Sequence, residues 1–284
     1  SENHSMGLYI RDAQTHLVAE EVVVARSRQV AGGYGGYGAQ VGSGSTFTVS
    51  RSQFADNHDT GILVASAGSY LTVEDTEISG ITEAHPMSIA AALSVMDGAT
   101  AVVQRVSLAD NFTGIVVSEN NSALTATDVW IVGADAAALT NGGFGVSARF
   151  GASLSLSRAR IEEVAAGALG VVDVGSQATI TEVYATGRLA PGLYDGGRGV
   201  SVLSGGSLSL SRSFVEDFYE AGIVVLNPGS NAVIEEVWVS GMKQNADNMF
   251  GYGFDVGAET SLSLRRVVAW NNEGLGLLAM GPGA

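Results

Sequence analysis

The sequence is poor in several residue types, and each absence excludes a class of function. It contains no cysteine, four prolines and a single lysine, Lys243. Without cysteine the chain has no disulfide and no thiolate metal site. Acidic residues outnumber basic ones by 29 to 14, for a net charge of −15. This argues against binding to nucleic acid or anionic membranes, because both require basic patches. No apolar run approaches the ~20 residues that span a bilayer, so membrane insertion is not expected.

What the chain does contain is one apolar pattern that recurs ten times. In a clear copy, Leu71 and Val73 are two residues apart, and Ile78 follows seven residues after Leu71. Apolar residues at a spacing of two mark a strand with one buried face, and the intervening pair Glu74 and Asp75 suits a corner between two strands. The positions equivalent to Leu71, here called the anchors, are Leu17, Phe47, Leu71, Ala101, Leu124, Leu154, Ala178, Leu208, Ala232 and Leu262.

A further short strand, usually opened by glycine, lies about nine residues before the anchor, as at residues 61–64 and 222–225. Three strands in every unit predict a parallel β-helix, because one unit cannot bury its apolar face alone. The pattern resembles the right-handed parallel β-helix proteins, a group that includes the pectate-lyase-like folds. The resemblance covers nearly the whole chain and implies an all-β fold of about ten coils. It is a match of pattern and does not extend to catalytic residues.

The anchors are separated by 30, 24, 30, 23, 30, 24, 30, 24 and 30 residues. This alternation predicts five two-coil repeats of about 54 residues. The extra residues of each long coil fall in the same turn, so we expect five long loops stacked on one side of the rod, at residues 26–37, 79–90, 132–144, 186–198 and 240–252. We expect residues 1–284 to form a single domain. Since neither end shows a capping element, we also expect a segment of a longer repeat array.

The residue four positions after the anchor alternates in charge without exception. Long coils carry an acid there and short coils carry an arginine. Because stacked coils lie ~4.8 Å apart, each arginine is expected to lie between two carboxylates. A charge ladder that maintains strand register is favoured over a binding role. Its predicted members are Glu21, Arg51, Asp75, Arg105, Asp128, Arg158, Glu182, Arg212, Glu236 and Arg266.

The outward residue six positions after the anchor is mostly aromatic in the C-terminal half, where it reads Trp130, Arg160, Tyr184, Phe214 and Trp238. Exposed aromatic side chains in a row suit stacking against sugar rings or a protein partner. The alternative, which we favour at this point, is that the long loops fold over these residues and bury them. If this stripe and the loops bind a ligand, the candidate residues are Trp130, Tyr184, Trp238, Tyr194, Phe144 and Tyr252.

Acidic residues are plentiful in the short turns, but no pair stands out from its repeat as the two carboxylates of a glycosidase would. The resemblance to polysaccharide lyases implies a calcium-binding acid cluster with a basic residue, and no matching motif is present. Calcium is the metal that acidic turns suit best, with Asp56, Asp59 and Asp110 as weak candidates. We expect Asn57 and Asn111 to point inward and satisfy backbone groups. No other cofactor is expected.

These observations favour a non-catalytic structural or adhesive module of an extracellular or bacterial cell-surface assembly. Its expected partners are further copies stacked end to end, as in a filament, or other surface proteins. The alternative is a carbohydrate-binding or polysaccharide lyase-like module that acts through the long-loop face. Ice binding by the outward threonines and serines is a remote option, because Val18, Val102 and Val233 interrupt that row.

Overall fold

The computed structural model describes residues 3–4, 6–29, 35–82, 90–134, 143–187, 197–244 and 249–281. In these ranges the regular elements are all β-strands. No helix in the described part of the chain could cross a membrane. The strands pair in parallel and form two large sheets, with one small two-stranded sheet made by Asn3–His4 and Ser27–Arg28.

The eleven-stranded sheet contains the glycine-opened strand of each coil. Its strands are Met6–Ile10, Tyr37–Val41, Thr60–Ala65, Ala91–Met96, Ile115–Ser118, Phe144–Arg149, Gly167–Val172, Arg198–Leu203, Ala221–Leu226, Tyr252–Val256 and Leu277–Ala279.

The fourteen-stranded sheet contains the anchor strands and the short strands that follow them. Its strands are His16–Glu20, Val23–Ala25, Thr46–Ser50, Gln53–Ala55, Tyr70–Glu74, Glu77–Ser79, Thr100–Ala109, Ala123–Val132, Ser153–Val164, Gln177–Gly187, Ser207–Glu216, Asn231–Ser240, Ser261–Arg265 and Val268–Trp270.

The register of these strands is the one that the anchors predict. Leu71 is paired with Phe47 of the preceding coil and with Ala101 of the following coil. The inward residues of successive coils therefore stack in columns, and together they form one continuous apolar core along the rod. The predicted parallel β-helix and its two alternating coil lengths are confirmed by this pairing.

In most coils two bends with left-handed backbone conformation follow the anchor, and a further one, for example at Ser66 with φ 79°, precedes the anchor strand. The ten charged residues four positions after the anchors all have φ between 47° and 58°. A second bend follows nine positions after the anchor, for example at Asp56 and Asp110, both with φ 52°. In the middle coils one strand, such as Thr100–Ala109, continues through the first bend. The two strands predicted on either side of this corner are therefore parts of one bent strand.

A glycine near the start of most strands of the eleven-stranded sheet is required by close packing, and two strands carry alanine there instead, Ala92 and Ala168. A Cβ at Gly61 would overlap Cγ2 of Ile78 and lie 2.5 Å from the carbonyl oxygen of Ala92. A Cβ at Gly145 would likewise overlap Cγ2 of Ile161. Neither glycine has a positive φ, so close packing and not backbone conformation requires glycine in this column.

Buried asparagines close the short turns, as predicted. The Asn57 Oδ1 accepts a hydrogen bond of 3.0 Å from the backbone N–H of Ser27, and the Asn111 Oδ1 accepts one of 3.1 Å from the N–H of Ile81. The Asn111 Nδ2 also donates to the Ile78 carbonyl at 3.0 Å. These side chains connect the short turn of one coil to the loop-bearing turn of the coil before it, so they satisfy backbone groups that the strands leave unpaired.

Candidate functional site

The most distinctive surface is a row of five side chains on the outer side of the fourteen-stranded sheet. In consecutive coils Trp130 is paired with Arg160, Arg160 with Tyr184, Tyr184 with Phe214, and Phe214 with Trp238. We call these five residues the aromatic strip. Parallel in-register strands place neighbouring members ~4.8 Å apart, so the strip extends over roughly 19 Å.

The strip is open to solvent. Trp130 is 49% exposed, Phe214 50% and Trp238 38%, while Tyr184 is half-buried. Our expectation that the long loops bury this row is therefore wrong for Trp130, Phe214 and Trp238. Outward side chains on a β-strand are buried only where another element crosses them, and the position of a loop is not encoded in the strand pattern.

Two glutamates next to the strip hold its aromatic rings in place. The Trp130 Nε1–H donates to Glu162 Oε2 at 3.0 Å, and Arg160 pairs with the same carboxylate through Nε at 2.6 Å. The Tyr184 hydroxyl donates to Glu216 Oε2 at 3.2 Å. In addition, the Arg160 guanidinium lies 5.5 Å from the centre of the Tyr184 ring. Aromatic and charged side chains thus form a connected polar and apolar surface.

These contacts also change proton affinities. The pKa of Glu162 is held below its usual value mainly by the hydrogen bond from Arg160, with a smaller contribution from Trp130. Burial raises the pKa of the Tyr184 phenol, and the nearby Glu216 raises it further. Glu162 is therefore ionised, and Tyr184 is protonated, over a wide range around neutral pH.

Sequence reasoning counted Glu162 and Glu216 among the acids of the short turns and did not connect them with the strip. Both lie eight positions after an anchor, two residues beyond a strip position on the same outward face. Each reaches the aromatic residue of the preceding long coil, 32 positions earlier in the chain. The alternation of outward residues could have placed them beside the strip, but the hydrogen bonds depend on side-chain directions that the alternation does not specify.

The remaining predicted ligand residues are not part of the strip. Phe144 and Tyr252 each begin a strand of the eleven-stranded sheet. Phe144 packs near Arg149, whose guanidinium carbon is 5.6 Å from the ring centre. Tyr252 makes an edge-to-face contact with Phe250 at 6.0 Å. Tyr194 lies outside the described residues.

The ten residues of the predicted charge ladder form five pairs. Each arginine contacts the acid 30 residues before it, with contacts of 3.4 Å for Arg51–Glu21, 2.6 Å for Arg105–Asp75, 2.7 Å for Arg158–Asp128, 3.2 Å for Arg212–Glu182 and 2.6 Å for Arg266–Glu236.

All ten of these residues are described, and no arginine among them is within 4 Å of the acid in the following coil. Arg51, Arg105 and Arg266 also contact a second acid next to the first, namely Glu20, Glu74 and Glu235. The prediction of a continuous ladder, with each arginine between two carboxylates, is therefore wrong. Each arginine pairs only with the preceding coil, and the pairs follow one another along one bend.

The weak calcium candidates do not converge. Asp56 and Asp110 are exposed at the second bend of their coils, whereas Asp59 is buried. The Asp56 carboxylate packs close to the backbone of Gly80, since a Cβ added to Gly80 would lie 2.6 Å from the Asp56 Oδ1. Within the described ranges no group of three or more histidine or acidic residues is positioned to hold a metal ion.

The described ends of the long loops lie at one turn, between the fourteen-stranded and the eleven-stranded sheets. Backbone hydrogen bonds connect these turns along the rod, from Phe112 N–H to the Ile81 carbonyl at 2.9 Å and from Gly143 N–H to the Phe112 carbonyl at 3.0 Å. The centres of the loops fall outside the described residues. That the complete loops form one binding face stays a prediction.

Comparison with known proteins adds evidence on the fold. A point mutant of the periplasmic alginate epimerase AlgG matches with a TM-score of 0.55 and 11% identity, over 92% of this chain and 64% of that chain. AlgG itself matches with a TM-score of 0.53 and 11% identity, over 95% of this chain and 61% of that chain. This chain thus spans less than two thirds of those structures, and identities this low show the fold alone.

Pectate lyase Pel9A has a TM-score of 0.38 at 12% identity, over 85% of this chain and 73% of that chain. No curated protein matches the sequence. The family described as "Right handed beta helix region" matches residues 1–150, more than half of the 284-residue chain. The chain belongs to this family of right-handed parallel β-helix proteins.

Proposed function

We propose that this chain is a non-catalytic, carbohydrate-binding β-helix module of an extracellular or cell-surface protein, and that a saccharide chain lies along the aromatic strip. The observation that carries this proposal is the solvent-open row from Trp130 to Trp238, in which four of five consecutive coils present an aromatic ring and the fifth presents Arg160. A monomeric protein rarely exposes aromatic residues in a contiguous row without a binding role.

The chemistry of the strip suits sugar rings. Aromatic faces pack against the apolar faces of pyranose rings, and carboxylates beside them accept hydrogen bonds from hydroxyl groups. Trp130 and Tyr184 are already oriented by Glu162 and Glu216. Less side-chain entropy is then lost on binding, since these rings are ordered before the ligand arrives.

The charge of the strip favours a neutral saccharide over a polyanion. Its one cation, Arg160, is already paired with Glu162, and Glu216 lies alongside. The strip and the two glutamates beside it contain no other cationic side chain, and the chain as a whole carries a net charge of −15. A polyuronate would therefore meet repulsion along the rod, whereas hydroxyl groups would find acceptors in both carboxylates.

Binding is favoured over glycosidic bond cleavage because of the electrostatics of Glu162. A general acid needs a raised pKa to remain protonated at neutral pH. The pKa of Glu162 is lowered by Arg160 and Trp130 instead. The location outside the cytoplasm is supported by the periplasmic AlgG, whose name as an alginate epimerase also agrees with a polysaccharide-related role for this fold.

Tryptophan fluorescence tests the proposal directly, because two of the three tryptophans, Trp130 and Trp238, lie in the strip. Titration with soluble neutral polysaccharides is expected to change the emission saturably, and sodium polygalacturonate and alginate are expected to have weaker effects. In affinity electrophoresis on gels containing the same polysaccharides, Trp130→Ala and Trp238→Ala should each bind roughly two- to tenfold more weakly, from about 0.5–1.5 kcal/mol per ring.

Tyr9→Ala is the control, since Tyr9 is 52% exposed but lies in Met6–Ile10 of the eleven-stranded sheet, away from the strip. This variant should bind like the parent chain. The proposal is rejected if no neutral polysaccharide shifts the fluorescence, or if Tyr9→Ala weakens binding as much as the strip variants.

A further inference from the structure

A second tryptophan lies beside the C-terminal end of the aromatic strip. Trp238, the final member of the strip, is paired with Val268 of the next coil. Two residues further along, Ser240 is paired with Trp270. All four side chains point outward, because they alternate with the inward column that includes Val239. They therefore form a two-by-two array on the outer side of the fourteen-stranded sheet.

The large and small side chains of this array lie on opposite diagonals. The two tryptophans occupy one diagonal, and Ser240 and Val268 occupy the other. Side chains on a strand stand roughly perpendicular to the sheet, so the two indole rings rise on either side of the smaller residues. Trp270 is 65% exposed, Trp238 38% and Val268 39%. Both walls and the apolar part of the floor are therefore accessible to solvent.

The register gives the space between the indoles the width of one flat ring. Neighbouring coils are ~4.8 Å apart and two residues along a strand span ~6.6 Å, so the diagonal between the two tryptophans measures roughly 8 Å. Nonbonded carbon atoms pack ~3.5–4.0 Å apart, so a ring held between two parallel indoles needs ~7–8 Å. Directly paired residues such as Phe214 and Trp238 are too close for this, since only ~4.8 Å separates them.

The same diagonal is closed in the two preceding repeats and open in this one. In each case the second residue lies 32 positions after the first, and the pairs are Trp130–Glu162, Tyr184–Glu216 and Trp238–Trp270. In the first two pairs the glutamate accepts a hydrogen bond from the aromatic side chain. Trp270 cannot take this role, because an indole offers a donor and no acceptor. The two indoles also do not stack on each other, since the close ring pair in the described part of the chain is Phe250 with Tyr252.

We propose that Trp238 and Trp270 form a subsite that holds one sugar ring between their indole faces. This inference rests on the proposed function, since the saccharide chain along the aromatic strip supplies the ring. The faces of a pyranose are rich in C–H groups, and aromatic rings pack against them. The Ser240 hydroxyl already donates to Glu216 Oε1 at 3.0 Å, so its oxygen is left to accept a hydrogen bond from a sugar hydroxyl group.

A two-sided subsite selects the configuration of the sugar. Stacking on one aromatic ring requires one apolar face, but a ring held between two indoles must present two. An axial hydroxyl group or linkage projects from one face, and burying it against an indole leaves it without a hydrogen-bond partner. Pyranoses whose hydroxyl groups and linkages are all equatorial, such as the β-linked glucose of cellulose, leave both faces free. The expected ligands are therefore neutral, β-linked saccharides of the glucose configuration.

Fluorescence titration of the full chain with three pentasaccharides tests the subsite. Cellopentaose has the expected configuration, mannopentaose with equatorial linkages carries one axial hydroxyl group on each ring, and maltopentaose has axial linkages. We expect the parent chain to bind cellopentaose roughly five- to tenfold more tightly than either of the others, because each of these would leave a polar group unpaired against an indole.

Three variants separate the subsite from the rest of the strip. Trp270→Ala should bind cellopentaose as weakly as the parent binds mannopentaose. Val268→Phe keeps both tryptophans but places a ring between them, and it should abolish the preference in the same way. Both positions are exposed, so the Tm of each variant should equal that of the parent. Tyr9→Ala is the control and should keep both the affinity and the preference, since Tyr9 lies on the other sheet.

The double variant Trp238→Ala with Trp270→Ala leaves Trp130 as the only tryptophan. Its emission should still respond to all three pentasaccharides, with equal affinities. The subsite is overturned, and the proposed function survives, if saccharides bind but the parent does not prefer cellopentaose, if Trp270→Ala or Val268→Phe keeps the preference, or if Tyr9→Ala loses it. If no saccharide changes the emission of the parent chain, the proposed function fails and the subsite fails with it.

Discussion

The two halves of the rod share one backbone pattern but differ in what they present to solvent. Six residues after the anchor, the N-terminal coils carry Val23, Gln53, Glu77 and Ser107, and the following coils carry the aromatic strip. The strands are in register at this position, and Ser107 is paired directly with Trp130. The fold therefore provides the same outward position in every coil, and the side chain at that position decides whether a binding surface forms.

Inward positions show the opposite behaviour. Leu71, Val73 and Ile78 in the N-terminal half correspond to Leu154, Leu156 and Ile161 in the C-terminal half, and all six are buried. A narrow core accepts only apolar side chains of suitable volume, so packing constrains these columns equally in both halves. The comparison separates a scaffold that is uniform along the rod from a surface that is not.

The largest expected effect tests whether the scaffold is uniform. Gly61→Ala and Gly145→Ala, one in each half, should each lower the free energy of unfolding by about 1–3 kcal/mol, because the added methyl overlaps Ile78 or Ile161. The measurement is chemical denaturation of each variant. Unequal losses in the two halves would contradict a uniform scaffold.

The chain itself suggests a compensating change. Alanine occurs in this glycine column at Ala92 and Ala168, where the facing core residues, Leu108 and Ala185, are not β-branched. The double variant Gly145→Ala with Ile161→Leu copies the natural Ala92 and Leu108 pair and should recover part of the stability lost by Gly145→Ala. If it is no more stable than Gly145→Ala alone, the branched Cγ2 is not the cause of the loss.

A smaller effect tests whether the surface difference can be removed. Ser107→Tyr and Glu77→Trp would extend the strip into the N-terminal half, because these positions continue its register. For a polysaccharide that binds the parent chain, each new ring should tighten binding by roughly two- to tenfold, from about 0.5–1.5 kcal/mol. The measurement is isothermal titration calorimetry with the same polysaccharide.

The same substitutions made one residue earlier, Val106→Tyr and Thr76→Trp, would serve as the control because those positions are buried. They should damage folding without improving binding. Unchanged affinity in the correctly folded strip variants would show that the C-terminal half binds for another reason.

The smallest expected effect concerns the charge pairs at the first bend. Arg105 contacts two acids, Glu74 and Asp75, and Arg158 contacts Asp128 alone. Arg105→Gln should therefore lower the Tm more than Arg158→Gln at low salt, since it leaves two adjacent carboxylates without their partner. Both changes should be smaller than those of the glycine variants, because exposed ion pairs contribute little.

High salt should reduce the difference between the two arginine variants, because screening weakens interactions between exposed charges. Arg26→Gln provides the reference for loss of a positive charge at an exposed position. Equal Tm values for all three variants at low salt would show that the pairs do not stabilise the fold.

Much of the fold could be predicted because burial imposes a repeating constraint. The anchor columns, the two coil lengths and the inward Asn57 and Asn111 follow from spacing and residue type, and the strand pairing and hydrogen bonds confirm them. The candidate site was predicted only in part. The register placed Trp130, Tyr184 and Trp238 in one row, but the exposure of that row depends on where other segments lie.

The charge pairs show the same limit. The sequence indicates that acids and arginines alternate, but a side chain on a left-handed bend points toward one neighbouring coil, as Arg158 does toward Asp128. Likewise, Phe144 begins a strand of the eleven-stranded sheet. It therefore lies away from the strip, although Phe144 and most residues of the strip are aromatic. Distances in sequence do not distinguish these faces.

The sequence by itself determined the parallel β-helix, because periodic burial has one solution when each coil must cover the apolar face of the next. Only the tertiary structure decided which outward residues meet. The carboxylates of Glu162 and Glu216 reach Trp130 and Tyr184 across coils, and Arg149 packs beside the Phe144 ring. Such contacts depend on side-chain direction and on the close approach of distant segments, which are properties of the folded chain.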